Sequence, residues 1–299
     1  MQQASIFIAD GEQQLHLRHI WQRQGGMPIF MLHGSIENGR IFYSEKGKGL
    51  ACFLAEQGFD VYVGDLRGRG KSRPLIDAKS SFGQFEAITR DIPLFLEKIQ
   101  ILNPQKIHLI GHSWGGVLLA SFLARYPQWL DKVVSKSCFG TKRVVTAKTF
   151  EAYVKLGVVW RYLAPLLAKH QGYLDAKKYR LGSDNETKQS LAESLAWVQP
   201  GHWRDQYDDF DYFSAAQNIT WPPTWHFTGI KDYALGHQQD VQLFINECGN
   251  TQAKFTVLSK QSGNLVDYDH INILTHPQSV DDHFPQLANW LHSAVKNKA

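Results

Sequence analysis

A serine between glycines is the residue of this sequence whose surroundings most clearly predict chemistry. Ser113 lies in the run Gly111-His112-Ser113-Trp114-Gly115-Gly116, after the apolar segment 107–110 and before a helical pattern. A sharp strand-to-helix turn crowds the positions two residues before and after the serine, and glycines occupy both. The pattern therefore predicts that the Ser113 hydroxyl projects above a sheet as a nucleophile. The helix N-terminus that follows favours the negative charge that develops in acyl transfer.

The segments that must position Ser113 alternate between two patterns. Residues 5–8 and 14–21, around Asp10-Gly11, predict a hairpin. Further short apolar runs predict strands at 28–32, 59–64, 106–110, 132–136, 224–227 and 255–258. Helical patterns occupy 43–57, 85–102, 115–126 and 284–296. This alternation predicts an α/β fold with a doubly wound, mostly parallel sheet that is covered on both faces.

The alternation stops between about residues 139 and 216. Phe150, Val154, Val158 and Tyr162 recur every four residues there, which predicts an amphipathic helix, and no strand is evident. The sequence thus predicts one domain, with a core of residues 1–138 and 217–299 and a helical cap of residues 139–216. We expect the cap to cover the carboxyl edge of the sheet, where ligands bind in open α/β folds.

Composition excludes several classes of protein. The chain has 299 residues, of which 43% are hydrophobic, so it can bury a large core. A net charge of +4 without long basic runs does not indicate nucleic-acid binding. Three cysteines without a CxxC pair favour a reducing compartment, and no secretory signal or membrane span is evident. We expect a cytoplasmic protein whose partner is a small molecule, of unknown oligomeric state.

These motifs resemble those of the α/β-hydrolase superfamily, in particular serine hydrolases of the lipase, esterase or lysophospholipase type with a helical cap. The resemblance rests on 111–116, on His33-Gly34 and on the segment 65–72, and it is weakest in the cap. It implies an eight-stranded sheet. It also implies that the backbone amides of Ser35 and Trp114 form the oxyanion hole, the pair of donors that stabilises a tetrahedral intermediate.

The resemblance further implies a catalytic acid and a base, in the chain order Ser, Asp, His. Asp232, just after the run 225–227 and a glycine turn, is the expected acid, with Asp240 as the runner-up. His270 is the expected base, and His276 is its main competitor. Relatives commonly have glycine where this chain has Asp269, and a neighbouring carboxylate raises the pKa of a histidine.

Cofactor and metal motifs do not fit. Gly70-Lys71-Ser72 resembles the end of a phosphate-binding loop, but position 65 is Asp where that loop needs glycine. The thirteen histidines include no HExxH or comparable cluster. We therefore expect neither a cofactor nor a metal.

The resulting hypothesis is a serine hydrolase that cleaves carboxylic esters, with acyl-glycerol or lysophospholipid substrates favoured by the resemblance. Trp114, Phe139, Trp160 and Trp203 are the expected substrate contacts. Thioesterases and acyltransferases share the same triad. An aminopeptidase would need a cap carboxylate, for which Glu151, Glu186 and Glu193 are available. A binding protein that has lost catalysis is the remaining alternative.

Overall fold

A computed structural model describes residues 1–296 of the chain. The main sheet has eight strands: β1 (Gln2–Asp10), β2 (Gln13–Trp21), β3 (Pro28–Leu32), β4 (Asp60–Asp65), β5 (Ile107–His112), β6 (Val133–Phe139), β9 (Thr224–Gly229) and β10 (Lys254–Leu258). Their order across the sheet is β1-β2-β4-β3-β5-β6-β9-β10. Strand β2 is antiparallel to β1 and β4, and the other pairings are parallel. The α/β fold with an eight-stranded, mostly parallel sheet is confirmed.

Helices connect these strands. They are α1 (Leu50–Glu56), α2 (Gln84–Glu86), α3 (Ile92–Leu102), α4 (Trp114–Arg125), α5 (Phe150–Ala152), α6 (Ala164–Gln171), α7 (Lys188–Trp197), α8 (Tyr212–Gln217), α9 (Gln238–Glu247), α10 (Asn272–Thr275) and α11 (His283–Lys296). Turns of π-helix at Ala87–Asp91 and Tyr153–Leu163 join α2 to α3 and α5 to α6. Short 3-10 helices lie at Gly39–Ile41, Pro127–Lys132, Lys260–Ser262 and Pro277–Asp281.

The core lies on both faces of the sheet, and successive residues of β3 alternate between the two faces. Phe30 and Leu32 pack into the cluster that contains α3 and α4, whereas Ile29 and Met31 pack into the cluster that contains α1 and α11. Every residue of β3 is buried because helices cover both faces. This double burial explains why the central strands are continuous apolar runs in the sequence.

The chain leaves the sheet after β6 and returns at β9, and the intervening residues include features that the sequence did not predict. Strands β7 (Tyr173–Leu174) and β8 (Glu186–Thr187) pair there as a small antiparallel sheet. The apolar face predicted at 150–162 is largely exposed to solvent and is not packed into a core. Phe150 is 84% exposed and Tyr162 is 66% exposed. Instead, Ala164 and Ala168 of α6 lie in a small buried cluster.

The division at residues 139 and 216 stays a prediction. The boundary at 216 falls inside α8, which packs against α4 of the main layer through Tyr212 and Ala216. Among residues 1–296, no helix combines the length and apolarity that a membrane crossing requires.

One buried histidine couples the fold to pH. His283 at the start of α11 is fully buried, and its Nε2 lies 2.8 Å from the carbonyl oxygen of Ile273. Burial lowers the pKa of His283 from the ordinary histidine value of 6.5 to about 4. Because the unfolded chain binds this proton more readily, His283 makes the fold less stable as the pH falls from about 6.5 toward 4.

We therefore predict that His283→Gln, whose amide nitrogen can replace the Nε2 donor, reduces the loss of stability on acidification. Between pH 7 and pH 5 the wild-type chain should lose about 2 kcal/mol more than the variant. Urea unfolding at both pH values measures this difference. His170→Gln, at an exposed position, is the control. Parallel losses in wild type and His283→Gln would contradict the prediction.

Candidate active site

Ser113 lies at the turn between β5 and α4, in a backbone conformation with φ +51° and ψ −124°. Close backbone approach on both sides requires glycine. A Cβ atom on Gly115 would lie 2.3 Å from the carbonyl oxygen of Leu32, and one on Gly34 would lie 2.8 Å from the Ser113 Cβ. The amide of Ser113 donates to the carbonyl oxygen of Phe139 at 2.8 Å. These contacts hold the turn in a conformation that non-glycine residues rarely adopt.

Asp232 and His270, the predicted acid and base, are hydrogen-bonded to each other. His270 Nδ1 lies 2.6 Å from Asp232 Oδ2, and the amide of Gly236 donates to Asp232 Oδ1 at 2.8 Å. Burial by itself raises the pKa of the Asp232 carboxyl, but His270 and the Gly236 amide outweigh burial and lower it below its usual value. A Cβ atom on Gly140 would lie 2.8 Å from His270 Nδ1, so glycine is needed there as well.

Ser113 and His270 line the same cavity. Within residues 1–296, the Ser113 hydroxyl makes no hydrogen bond to His270. Catalytic hydrogen bonds in unliganded sites are often long and tighten only when substrate binds. The structure therefore places the candidate nucleophile in the same cavity as His270, which is bound to Asp232.

Ser35 and Trp114, the predicted oxyanion donors, line this cavity beside Ser113. Trp114 is the first residue of α4, where an amide has no acceptor within the helix. Both ring nitrogens of His33, which directly follows β3, are hydrogen-bonded to backbone groups. Its Nδ1 lies 2.8 Å from the carbonyl oxygen of Gly34, and its Nε2 accepts from the amide of Leu66 at 3.2 Å.

A second histidine–carboxylate pair lies behind this site, and the sequence analysis missed it. His112 Nδ1 lies 2.8 Å from Glu37 Oε2, and His112 Nε2 lies 2.9 Å from the backbone carbonyl oxygen of His270. Glu37 Oε2 also accepts from the amide of Gly34 at 3.0 Å. Glu37 and His112 thus connect the loop after β3 with the loop that carries His270.

Each member of this pair favours the charged form of the other. The Nε2 of His112 must donate, because a carbonyl oxygen only accepts. Burial opposes the charged form of each side chain, yet each partner outweighs burial, so the pKa of Glu37 is lowered and that of His112 is raised. A carboxylate three residues beyond His33-Gly34 and a histidine just before the serine were the signal in the sequence.

The cavity has a volume of about 900 Å³ and lies between the sheet edge and the residues that follow β6. Aliphatic and aromatic side chains form much of its wall: Ile36, Ile41, Leu156, Val159, Trp160, Leu181, Val198, Leu235 and Ile271. This size and lining suit an apolar ligand with a few polar anchors.

Two of the four predicted substrate contacts line the cavity and two lie elsewhere. Trp114 and Trp160 are in the wall. Phe139 is fully buried, with its ring stacked on Phe227 at 4.9 Å, because its position in β6 faces the cluster of α1 and α11. Trp203 is buried against α4, where its indole nitrogen donates to Ser121 Oγ at 3.1 Å. We therefore correct the assignment of Phe139 and Trp203.

The competing acid and base occupy structural positions. Asp240 lies in the first turn of α9, and its Oδ1 accepts from the amide of Thr146 at 2.8 Å. His276 Nδ1 accepts from the amide of Gln278 at 3.2 Å and caps a short helix. Asp269 Oδ1 accepts from the amides of Ile271 and Asn272, which fixes the loop that carries His270.

The segment after β7 is tied to the loop that follows β3. The amide of Asp184 donates to the carbonyl oxygen of Ile36 at 3.0 Å, and the Ile36 amide donates to Glu186 Oε2 at 3.3 Å. Glu186 is also ion-paired with Arg69. These bonds connect the segment between β6 and β9 to the oxyanion candidate Ser35 through its neighbour.

Within the described residues, no group of three or more His, Cys, Asp or Glu side chains is arranged to hold a metal ion. Cys52, Cys138 and Cys248 are buried and free.

The fold, the serine turn and the hydrogen-bonded histidine and aspartate define a class of protein, and the sequence matches it. Residues 27–277 match the family described as the alpha/beta hydrolase fold. The chain belongs to the α/β hydrolase family.

Curated proteins with similar sequences include proteins named as lipases and lysophospholipases. A probable lysophospholipase L2 of Haemophilus influenzae is 31% identical over 126 residues, which make up 42% of this chain and 39% of that protein. Triacylglycerol lipase 2 of Arabidopsis thaliana is 34% identical over 32% of this chain and 25% of its own length. The chain thus matches less than half the length of these curated relatives.

Solved structures share the fold at low sequence identity. A soluble variant of monoglyceride lipase from Saccharomyces cerevisiae, in complex with a substrate analog, has a TM-score of 0.71 and 16% identity. The match covers 98% of this chain and 95% of that one.

We predict that Glu37→Gln destabilises the fold by about 3 kcal/mol at pH 7, because it leaves the buried His112 charge without its partner. The double variant Glu37→Gln/His112→Gln should lose clearly less than the sum of the single losses. Urea unfolding of the four proteins measures this coupling. Glu45→Gln, in the exposed Glu45–Arg40 pair, is the control and should be nearly neutral. Additive losses would contradict an ion pair.

Proposed function

We propose that the protein is a serine hydrolase that cleaves carboxylic esters through Ser113, His270 and Asp232. The observation that carries this proposal is the meeting of three features at one cavity. Ser113 stands at a strained strand-to-helix turn, His270 is bound to Asp232 at 2.6 Å, and the Ser35 and Trp114 residues line the same wall. Each feature alone is common, whereas their combination has a specific chemical use.

In the first half of the reaction, the ester carbonyl lies between Ser113 and the two backbone amides. His270 Nε2 takes the proton of the Ser113 hydroxyl as its oxygen attacks the carbonyl carbon. The amides of Ser35 and Trp114 donate to the oxyanion of the tetrahedral intermediate. His270 then gives the proton to the departing alkoxide, which leaves as the alcohol, and the acyl group stays on Ser113.

In the second half, water attacks the acyl group while His270 takes its proton. The tetrahedral intermediate collapses, Ser113 recovers a proton from His270, and the carboxylic acid leaves. Asp232 holds the Nδ1 proton of His270 and stabilises the imidazolium that forms twice in the cycle. Glu37 and His112 act on this chemistry through position, since His112 binds the His270 backbone and Glu37 binds the Gly34 amide.

A lipid-like acyl ester is the substrate class we propose. The apolar wall of the cavity supports this class, and so do the names of the lipase and lysophospholipase relatives. An aminopeptidase is less well supported, because the cap carboxylates are already engaged. Glu186 pairs with Arg69, Glu193 accepts from the Gln84 amide and Glu151 pairs with Lys155. A thioesterase or an acyltransferase would use the same triad.

We predict that Ser113→Ala lowers kcat/KM on p-nitrophenyl esters by about four to six orders of magnitude and abolishes labelling by a fluorophosphonate. Asp232→Asn should cost about four orders of magnitude, because it favours the wrong tautomer of His270. His276→Ala is the matched control and should keep wild-type rates. Circular dichroism checks the fold of each variant. Undiminished turnover in Ser113→Ala would refute the proposed nucleophile, and an unlabelled wild-type serine would favour a binding protein.

We further predict that rates on p-nitrophenyl esters from acetate to palmitate peak at medium or long chains. Trp160→Ala, which removes part of the apolar wall, should lower kcat/KM about tenfold on the best ester and little on acetate. Tyr153→Ala is the control, because this side chain belongs to the same π-helical segment but is exposed. A maximum at acetate in the wild type would indicate that the cavity does not hold acyl chains.

A further inference from the structure

The cavity beside Ser113 is rich in positive charge. Its lining contains one carboxylate, Glu37, which is paired with His112. It also contains five cationic side chains, namely Arg40, Lys142, Lys155, Lys177 and Arg180. The excess is notable because the whole chain carries a net charge of only +4. A cleft with charge of one sign attracts ligands of the opposite sign.

Three of these cations already have carboxylate partners. Arg40 pairs with Glu45 at 3.1 Å, Lys177 pairs with Asp184 at 2.5 Å, and Lys155 pairs with Glu151. Arg180 is exposed, so water solvates its charge. The remaining cation, Lys142, has no ion-pair partner among residues 1–296, and only 7% of the residue is exposed.

Lys142 lies in the wall close to the reacting groups. It follows Gly140, whose backbone packs on the His270 ring, by two residues. Its side chain is buried, with 7% of the residue exposed, and it lines the cavity. Within residues 1–296 its ammonium makes no hydrogen bond and no ion pair, so its donors are unused.

The neighbouring carboxylates do not satisfy this ammonium. Asp232 is bound to His270 and the Gly236 amide. Asp240 Oδ1 accepts from Thr146, whereas Asp240 Oδ2 is buried without a hydrogen-bond partner among residues 1–296 and is not ion-paired with Lys142. Both carboxylates favour the charged form of Lys142, but burial is the larger effect and lowers the pKa of Lys142 to about 8. An amine held this way gains from any further negative charge that enters the cavity.

We infer that Lys142 is the receptor for an anionic group of the substrate, so that the enzyme prefers esters that carry a carboxylate or a phosphate over neutral esters of the same length. The inference rests on the proposed function, and it narrows the substrate class of that site. A neutral ester leaves the Lys142 ammonium without a partner, whereas an anionic ester gives it a charge-assisted hydrogen bond.

The first experiment places the anion on the acyl side. Mono-p-nitrophenyl glutarate and p-nitrophenyl pentanoate have five acyl carbons each and differ in the terminal carboxylate. We expect wild type to prefer the glutarate. Lys142→Met should lower kcat/KM for the glutarate by about 10- to 100-fold and change that for the pentanoate by less than about threefold.

The second experiment places the anion on the alcohol side. It compares 1-octanoyl-glycerol 3-phosphate with 1-octanoylglycerol at concentrations below micelle formation. A drop of about 10- to 100-fold on the phosphate in Lys142→Met, with the neutral lipid unchanged, would assign a phosphate source. A drop in kcat/KM confined to the glutarate would indicate that Lys142 binds a carboxylate on the acyl chain. Either result supports the inference. If Lys142→Met shows no selective drop in either experiment, the inference is overturned.

Matched variants separate charge from fold. Lys148→Met removes an exposed lysine of the same segment that does not line the cavity, and it should change all four rates by less than about threefold. Lys142→Arg keeps the charge and should keep the preference for the anionic member of each pair. Retained hydrolysis of the neutral ester shows that Lys142→Met is folded. If Lys142→Met lowers kcat/KM equally on neutral and anionic esters, and its circular dichroism is normal, Lys142 acts on Asp232 instead and the inference is wrong.

Binding to Ser113→Ala gives a readout that does not need turnover. Titration with mono-p-nitrophenyl glutarate, followed by tryptophan fluorescence, should give a Kd that rises about 10- to 100-fold when Lys142→Met is added. If wild type neither hydrolyses the pentanoate nor reacts with a fluorophosphonate, the proposed function fails. If it does both and the Kd is unchanged by Lys142→Met, only the inference about the anion fails.

Discussion

The close packing of backbone around Ser113 is the constraint on which the site depends. The turn holds a non-glycine residue at φ +51°, and it does so only because β3 and α4 approach more closely than a Cβ atom would permit. Gly34 and Gly115 provide that approach, each from a different side. Backbone strain of this kind persists where the surrounding structure over-determines it, here through a buried parallel sheet. The same close packing places the Ser35 and Trp114 residues beside the serine.

The Glu37–His112 pair extends this constraint to the parts of the site that come from distant sequence. Ser113 is fixed by its own turn, but His270 lies on a loop beyond β10, and loops hold position less firmly than strands. His112 binds the backbone of that loop, and Glu37 binds the loop after β3. A buried ion pair adds little net stability, but losing one partner is costly, so the pair favours one relative arrangement of the two loops.

The sequence predicted those features that depend on local pattern. The bounds of β3 were predicted correctly because both of its faces are buried, and α4 was predicted within a residue because glycines and a helical pattern mark it. The placements that failed depend on tertiary contacts. Phe139 and Trp203 are aromatic and near the site in sequence, but a strand alternates its faces and a loop can turn its side chain into the core. Two-residue strands such as β7 carry no periodic signal.

The cavity shows why charge was harder to predict than shape. A lysine in a sequence is usually solvated, so Lys142 gives no signal there. Its burial follows only from how the segment after β6 folds along the cavity. Burial of an unpaired ammonium opposes folding, since the ion gives up part of its hydration without gaining an ion-pair partner. The charges of Asp240 and Asp232 offset that cost in part, although neither carboxylate is ion-paired with Lys142 within residues 1–296. A fold that tolerates such a charge beside its candidate nucleophile has a polar requirement that an apolar acyl pocket alone does not explain.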